Sequence, residues 1–253
     1  MSPPYIYVFI PIQSNSKTTT TTPTATTATT ASYSCFYRLL LLFPTAFPYS
    51  LLLFLIMTGV PFKIVGICGS LRAGSFNRLL LNAAQKYAPA GVEIEILDYS
   101  EFPLYNQDHE SDLPESVKNF KAKVVAADGV LFVTPEFNYS IPGPLKNAID
   151  WGSRPWGTAC WSGKPVGIMG AGPGKYPGTS ATMKAQNHLR SIVIGFDMVP
   201  VQKPEVTMPA AGDNFNEKGE LTNEYFQGVV AAHMKALVRL VKLLRLEKEY
   251  LSA

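Results

Sequence analysis

The chain has 253 residues, 47% of them hydrophobic and 16% charged, and a formal net charge of +3. This is enough for one ordinary globular domain plus extra material. Two of the cations, Lys17 and Arg38, lie in residues 1–56, and no acid precedes Glu93, so the rest of the chain is close to neutral, which argues against nucleic acid as partner. The three cysteines, Cys35, Cys68 and Cys160, form no metal or disulfide spacing and fit a reducing, cytoplasmic setting with inert thiols.

Residues 1–56 are a different material from residues 57–253. Lys17 to Thr30 is nearly a threonine tract, unable to bury enough apolar surface to fold. Arg38 to Phe43 and Ser50 to Ile56 are strongly apolar, interrupted by Pro44 and Pro48. Three readings stand side by side: a membrane anchor, an import signal, and dispensable sequence before a start at Met57. The prolines weaken a single straight membrane helix.

Lys63 to Ile67 is an apolar run that reads as a buried parallel strand, and Leu79 to Ala84 reads as a helix. Between them lies Gly69-Ser70-Leu71-Arg72-Ala73-Gly74-Ser75-Phe76-Asn77-Arg78. A helix start offers unpaired N–H groups and the positive end of a dipole. Ser70, Ser75 and Asn77 add donors, and Arg72 adds a forked cation suited to phosphate oxygens. No G-x-x-x-x-G-K-[ST] string occurs; in Gly170-Ala171-Gly172-Pro173-Gly174-Lys175 the lysine is followed by Tyr176. The loop also lacks G-x-G-x-x-G. A single terminal phosphate, as in FMN, suits it better than ATP or a dinucleotide. A helix merely capped by Ser75 and Asn77 would look the same.

Val92 to Asp98 alternates and reads as a second strand near an edge. Pro103 to Asp112 reads as a loop, and Pro114 to Ala127 as a helix with Pro114 in its first turn. Gly129 to Thr134 reads as the third strand. The loop after it, Pro135-Glu136-Phe137-Asn138-Tyr139-Ser140-Ile141-Pro142, is stiffened by proline and carries two aromatic rings around an amide. It suits the wall of a flat, partly polar ring system. Leu145 to Trp151 reads as a short helix, Pro165 to Gly170 as the fourth strand, Thr179 to Ile194 as a helix, Asp197 to Val201 as the fifth strand, and Glu224 to Leu246 as a closing helix. Alternating strands and helices predict an α/β fold with a parallel sheet covered on both faces. In such sheets ligands bind beyond the carboxyl ends of the strands, where strand order reverses.

The two loops together resemble the NADPH-dependent FMN reductase family, from about Phe62 to Leu246. Its pattern G-S-L-R-x-x-S-x-N stands as Gly69 to Asn77, and T-P-E-Y-N-Y-S-x-P-x-x-L-K-N-A-I-D-W as Thr134 to Trp151, with Phe137 in place of the first Tyr. Gln186 to Arg190 and Lys203-Pro204-Glu205 are lesser matches. The resemblance implies a flavodoxin-like three-layer sandwich with a five-stranded parallel sheet and non-covalent FMN. It implies Ser70, Arg72, Ser75, Phe76 and Asn77 around the ribityl phosphate, and Pro135, Glu136, Phe137, Asn138 and Tyr139 beside the isoalloxazine. Gly170, Ala171 and Gly172, in the loop after the fourth strand, would close the other side. Phe137 lacks a hydroxyl that relatives carry. Lys184 stands where relatives have an Arg near the nicotinamide nucleotide, and keeps the charge without the bidentate geometry.

The resemblance further implies an oxidoreductase in which NADPH or NADH passes a hydride to FMN. A quinone, free flavin, azo compound or metal oxyanion then takes the electrons, in ping-pong fashion. Homodimers or homotetramers are common among such proteins. The alternative is a flavodoxin-type electron carrier or flavin sensor without NAD(P)H turnover; carriers tend to be strongly acidic, and this chain is not. Glu136 and Glu205 read as salt-bridge partners rather than proton donors, and His188 as a packed or surface residue. Trp151, Trp156 and Trp161 read as packing residues around Arg154. A sharper reading puts Arg154 at a dinucleotide phosphate or a flavin edge.

Overall fold

The computed structural model describes residues 61–175 and 181–252. The readings of the leader, residues 1–56, and of residues 176–180 around the expected fourth-helix start lie outside the described residues. Among these, no helix is long and apolar enough to cross a membrane.

Among the described residues there are six strands and six α-helices, largely alternating. The strands are β1 (Phe62–Cys68), β2 (Val92–Ile96), β3 (Gly129–Val133), β4 (Pro165–Ala171), β5 (Val199–Pro200) and β6 (Val206–Met208). The helices are α1 (Phe76–Lys86), α2 (Glu115–Ala126), α3 (Gly143–Ser153), α4 (Met183–Ile194), the short α5 (Ala211–Asn214) and α6 (Glu224–Ser252). All pairings between the strands are parallel, in the order β2-β1-β3-β4-β5, with β6 also on β4. The register sets Ile64 beside Ile94 on one side of β1 and Gly129 on the other. The order reverses between β1 and β3, which creates a crevice at their carboxyl ends.

The sheet has five lateral positions, as expected, but the fifth is divided. β5 pairs with the start of β4, at Pro165 and Val166, and β6 with its end, at Met169 to Ala171. The Val206–Met208 pairing prolongs β4 to Ala171. Gly170 and Ala171 are therefore both strand residues, Gly170 as the strand reading had it and Ala171 as a correction to its placement in the following loop; Gly172 is the first residue outside.

The two-residue side-chain period of a strand sends β1 into two cores. Ile64 and Cys68 join Leu80 and Leu81 of α1 and Val230, Met234 and Leu237 of α6. Val65 and Ile67 join Phe120 of α2, Leu145 and Ile149 of α3, and Leu189 of α4. Burial on both faces explains why β1 and β3 read as continuous apolar runs. Each fully buried side chain of this kind contributes roughly 1.5–3 kcal/mol, which fixes the strand ends from which the rim loops leave.

Helix α6 also buries His233, whose Nδ1–H donates to Pro204 O at 2.7 Å. The carbonyl can only accept, so the proton sits on Nδ1. Burial lowers its pKa to about 4, so the ring is neutral near pH 7. Cys68 and Cys160 are buried free thiols, and burial pushes Cys160 up to about 12.

Candidate functional site

The loop after β1 gathers the donors of an anion cradle. Ser75, extended at φ −76 and ψ 123, caps α1 by accepting from the N–H groups of Asn77 and Arg78 at 3.2 and 3.3 Å. The N–H groups of Leu71, Ala73, Gly74, Ser75 and Phe76 donate to no described residue. Ser70 Oγ accepts from Arg72 N at 3.3 Å and keeps its own proton for a ligand. The Arg72 guanidinium lies across Gly74, where an added Cβ would stand 3.6 Å from Nη2. Backbone donors, a hydroxyl, a guanidinium and a helix dipole form the donor set that a phosphate dianion requires.

Two of the expected phosphate-loop side chains also make contacts within the fold. Both groups of the Asn77 carboxamide are engaged with Ala171 of β4, Nδ2 with its oxygen and Oδ1 with its N–H, each at 2.9 Å. The Phe76 ring stacks on Phe215 at 6.5 Å, leaving its main chain to the cradle. Beneath the loop, Tyr99 donates to Cys68 O at 2.6 Å, and Cys68 Sγ reaches Ser70 O at 3.4 Å. Gly69 lets the ends of β1 and β3 approach: a Cβ there would be 2.7 Å from Thr134 Oγ1.

The loop after β3 turns back on itself. Phe137 and Ser140 exchange both main-chain hydrogen bonds, at 2.9 and 3.0 Å, around Asn138 and Tyr139. These two have φ of 49 and 66, the double left-handed conformation of a type I′ hairpin turn. Phe137 and Tyr139 consequently stand out, 53% and 66% exposed. Glu136 Oε2 accepts from the N–H groups of Lys184 and Ala185 at 3.0 and 3.2 Å. It caps α4 from a distance in sequence, where Thr182 (φ 64) supplies no side-chain cap. Ser140 Oγ meets His188 Nδ1 at 3.0 Å, and Lys184 Nζ lies 3.5 Å from the centroid of the Tyr139 ring. Loop and helix thus hold each other at three points. The Glu136 carboxylate is engaged at this cap, while Glu205 pairs with Lys203 at 3.4 Å.

Gly170 faces the same crevice from β4. A Cβ on it would collide with Thr182 and stand 2.6 Å from Thr134 O. Gly172 bonds through its N–H to Met208 and through its oxygen to Ala211. The three tryptophans do not surround Arg154. Trp151 and Trp161 are buried, and Trp156 is 88% exposed with Arg154 6.0 Å from its centroid. Arg154 Nε lies 3.9 Å from Glu110 of the loop after β2, whose carboxylate also accepts from Tyr105 at 2.5 Å. Among the described residues no group of His, Cys, Asp and Glu is arranged to hold a metal.

Sequence reading missed Arg78, Asp98 and Ser100, which with Ser70 and Arg72 line a cleft of about 440 Å³ beside the phosphate loop. The placement of Asp98 just after β2 was the available signal, because ligands collect at strand carboxyl ends.

A strand, a phosphate-type loop and a helix, facing an aromatic hairpin across the β1/β3 reversal, define a mononucleotide-binding α/β protein. The chain belongs to the NADPH-dependent FMN reductase family, whose model matches residues 62–213. It is 42% identical over 184 residues to an NAD(P)H-dependent FMN reductase of Pseudomonas aeruginosa, covering 72% of this chain and 97% of that one. It is 43% identical over 182 residues to an NAD(P)H:quinone oxidoreductase of Solanum tuberosum, covering 69% and 90%. The structure of FerB, a flavoenzyme NAD(P)H:(acceptor) oxidoreductase from Paracoccus denitrificans, is similar with a TM-score of 0.64 at 33% identity, covering 71% and 98%. The protein is accordingly an oxidoreductase that works with FMN and a reduced nicotinamide nucleotide.

Proposed function

We propose that the protein is an NAD(P)H-dependent quinone reductase whose FMN lies along the sheet rim. The observation that supports this reading is that the Ser- and Arg-bearing loop leaves the end of β1 and the aromatic hairpin the end of β3, the adjacent strands between which the order reverses. When bound, the flavin supplies a two-electron relay from the nicotinamide donor to the acceptor.

The chain's own residues bind, orient and shield. Ser70, Arg72 and the main chain through Ser75 and Phe76 hold the phosphate, and Asn77 steadies them from Ala171. Pro135 to Tyr139 border the ring system, with Gly170, Ala171 and Gly172 opposite. The prolines and the hairpin turn keep Phe137 and Tyr139 in place without a ligand, so little ordering cost falls on binding. Lys184, held over Tyr139, offers its charge to the phosphates of the donor. No side chain is required as nucleophile, and the buried Cys68 and Cys160 fit a reducing cytoplasm.

A homodimer or homotetramer would cover the exposed Phe137, Tyr139 and Trp156, and we propose such an assembly. We take residues 57–253 as the FMN-binding reductase domain within this proposal.

The test is anaerobic mixing of the purified full-length, flavin-loaded protein with NADPH, followed by benzoquinone. Bleaching of the yellow colour and its return, with parallel lines in double-reciprocal plots, is the expected result. A protein that stays yellow with NADPH and NADH would be a carrier or sensor.

A further inference from the structure

The cleft beside the phosphate loop lies on the β2 side of the rim. Its walls include Ser70, Arg72 and Arg78 from the loop and first turn of α1, and Asp98 and Ser100 just beyond β2. Its volume, about 440 Å³, is within the range of small-ligand pockets. Among the described residues neither Arg72 nor Arg78 makes an ion pair. Asp98 Oδ1 accepts from Ser100 N at 2.9 Å, a bond that holds its carboxyl below the usual carboxylate range, with Arg78 adding to the effect.

Along the strand order β2-β1-β3-β4 the rim therefore carries three kinds of chemistry in sequence. Over β3 and β4 are the aromatic hairpin and Gly170. Over β1 is the phosphate cradle. Between β1 and β2 are a second guanidinium and an ionised, acceptor-only carboxylate. The cleft shares Ser70 and Arg72 with the phosphate loop, so a second phosphate joined to the first would meet its walls. A monophosphate ends at the cradle, whereas a dinucleotide continues with a second phosphate, a ribose diol and a base. Guanidinium matches the phosphate. A carboxylate at the end of the second strand of a βαβ unit is where dinucleotide folds accept ribose hydroxyls.

We propose that this cleft receives the adenylyl half of a flavin dinucleotide, so that the site takes FAD as well as FMN, with Arg78 on the second phosphate and Asp98 on the ribose hydroxyls. The inference rests on the flavin reading given above.

The experiment strips flavin from the full-length protein and titrates it with FMN and with FAD, following quenching of flavin fluorescence. FAD is expected to bind within about tenfold of FMN. Arg78→Ala is expected to weaken FAD by roughly tenfold or more, and Asp98→Asn by several-fold, both leaving FMN unchanged. Arg78→Lys should recover part of the FAD affinity. Three results would overturn the proposal. One is FAD binding to the unaltered protein about a hundredfold more weakly than FMN. Another is equal loss of both flavins in Arg78→Ala, which would assign the guanidinium to the monophosphate. The third is unchanged FAD affinity alongside weakened binding of 2′,5′-ADP, which would give the cleft to the nicotinamide donor. Failure of FMN itself to bind would sink the flavin reading, a result distinct from these three.

Discussion

Asn77 and Ala171, 94 positions apart, are joined by both hydrogen bonds of one buried carboxamide, each 2.9 Å long. The bond pair ties the first turn of α1 to the last residue of β4, and so ties the phosphate cradle to the far side of the crevice. Asn77→Ala leaves both polar groups of Ala171 without their partner. The expected loss is about 2–4 kcal/mol in urea unfolding of the flavin-free protein, with weaker FMN binding. Asn77→Asp sets an oxygen against the Ala171 oxygen and is expected to cost more. Equal stability of all three proteins would refute the brace.

Glu136 separates capping from proton transfer. Glu136→Gln keeps an oxygen at the start of α4 but removes its charge, and about 0.5–1 kcal/mol of stability is expected to go. Glu136→Ala removes the cap altogether and is expected to lose about 1–2 kcal/mol. Turnover in steady-state kinetics should survive in the Gln protein. A kcat lowered a thousandfold there would make the carboxyl an acid catalyst after all.

Gly170 has no space for a methyl group between Thr182 and Thr134 O. Gly170→Ala is expected to destabilise by about 1–3 kcal/mol, the usual cost of overpacking, and to loosen the α4 start that Glu136 caps. Thermal unfolding of the flavin-free protein reads the first effect. A midpoint within a degree of the unaltered protein would contradict it.

His233 gives the fold a pH dependence. Its pKa is about 4 when folded against 6.5 for the free side chain. Between these values the unfolded chain binds a proton that the folded one refuses, so stability falls as pH drops. The contribution is complete above pH 6.5, is lost progressively down to about pH 4, and amounts to roughly 3 kcal/mol. His233→Asn keeps an amide donor for Pro204 O without the titration. Urea midpoints across this window should be flatter for the Asn protein. Parallel curves would place the acid sensitivity elsewhere.

Much of this architecture was legible because it follows from local pattern. The apolar runs at Ile64 to Ile67 and Gly129 to Val133 are buried on both faces, and such strands leave an unmistakable mark. The Ser75 cap and the start of α2 at Pro114 follow from residue type. What escaped depends on partners distant in sequence. Val206–Met208 is a strand only because the end of β4 offers it a ladder, and its three residues carry too short a pattern to read alone. The Asn77 carboxamide joins a strand 94 residues away, a bond pair that no local pattern shows. Glu136 looked like an ion-pair partner, yet it meets two backbone N–H groups. That Arg78 lines a cleft with Asp98 could not be read either, because a cation in a first helical turn ordinarily faces water.

The hairpin at Phe137 to Ser140 is held by main-chain hydrogen bonds, two left-handed residues and its clamps to α4, none of which uses the Phe137 ring. Shape and surface are thereby decoupled at one position. The ring can be exchanged for a larger, smaller or more polar one while the scaffold beneath stays fixed. If Phe137 borders the acceptor as proposed, saturation mutagenesis at residue 137 is expected to change acceptor preference while leaving stability unaltered.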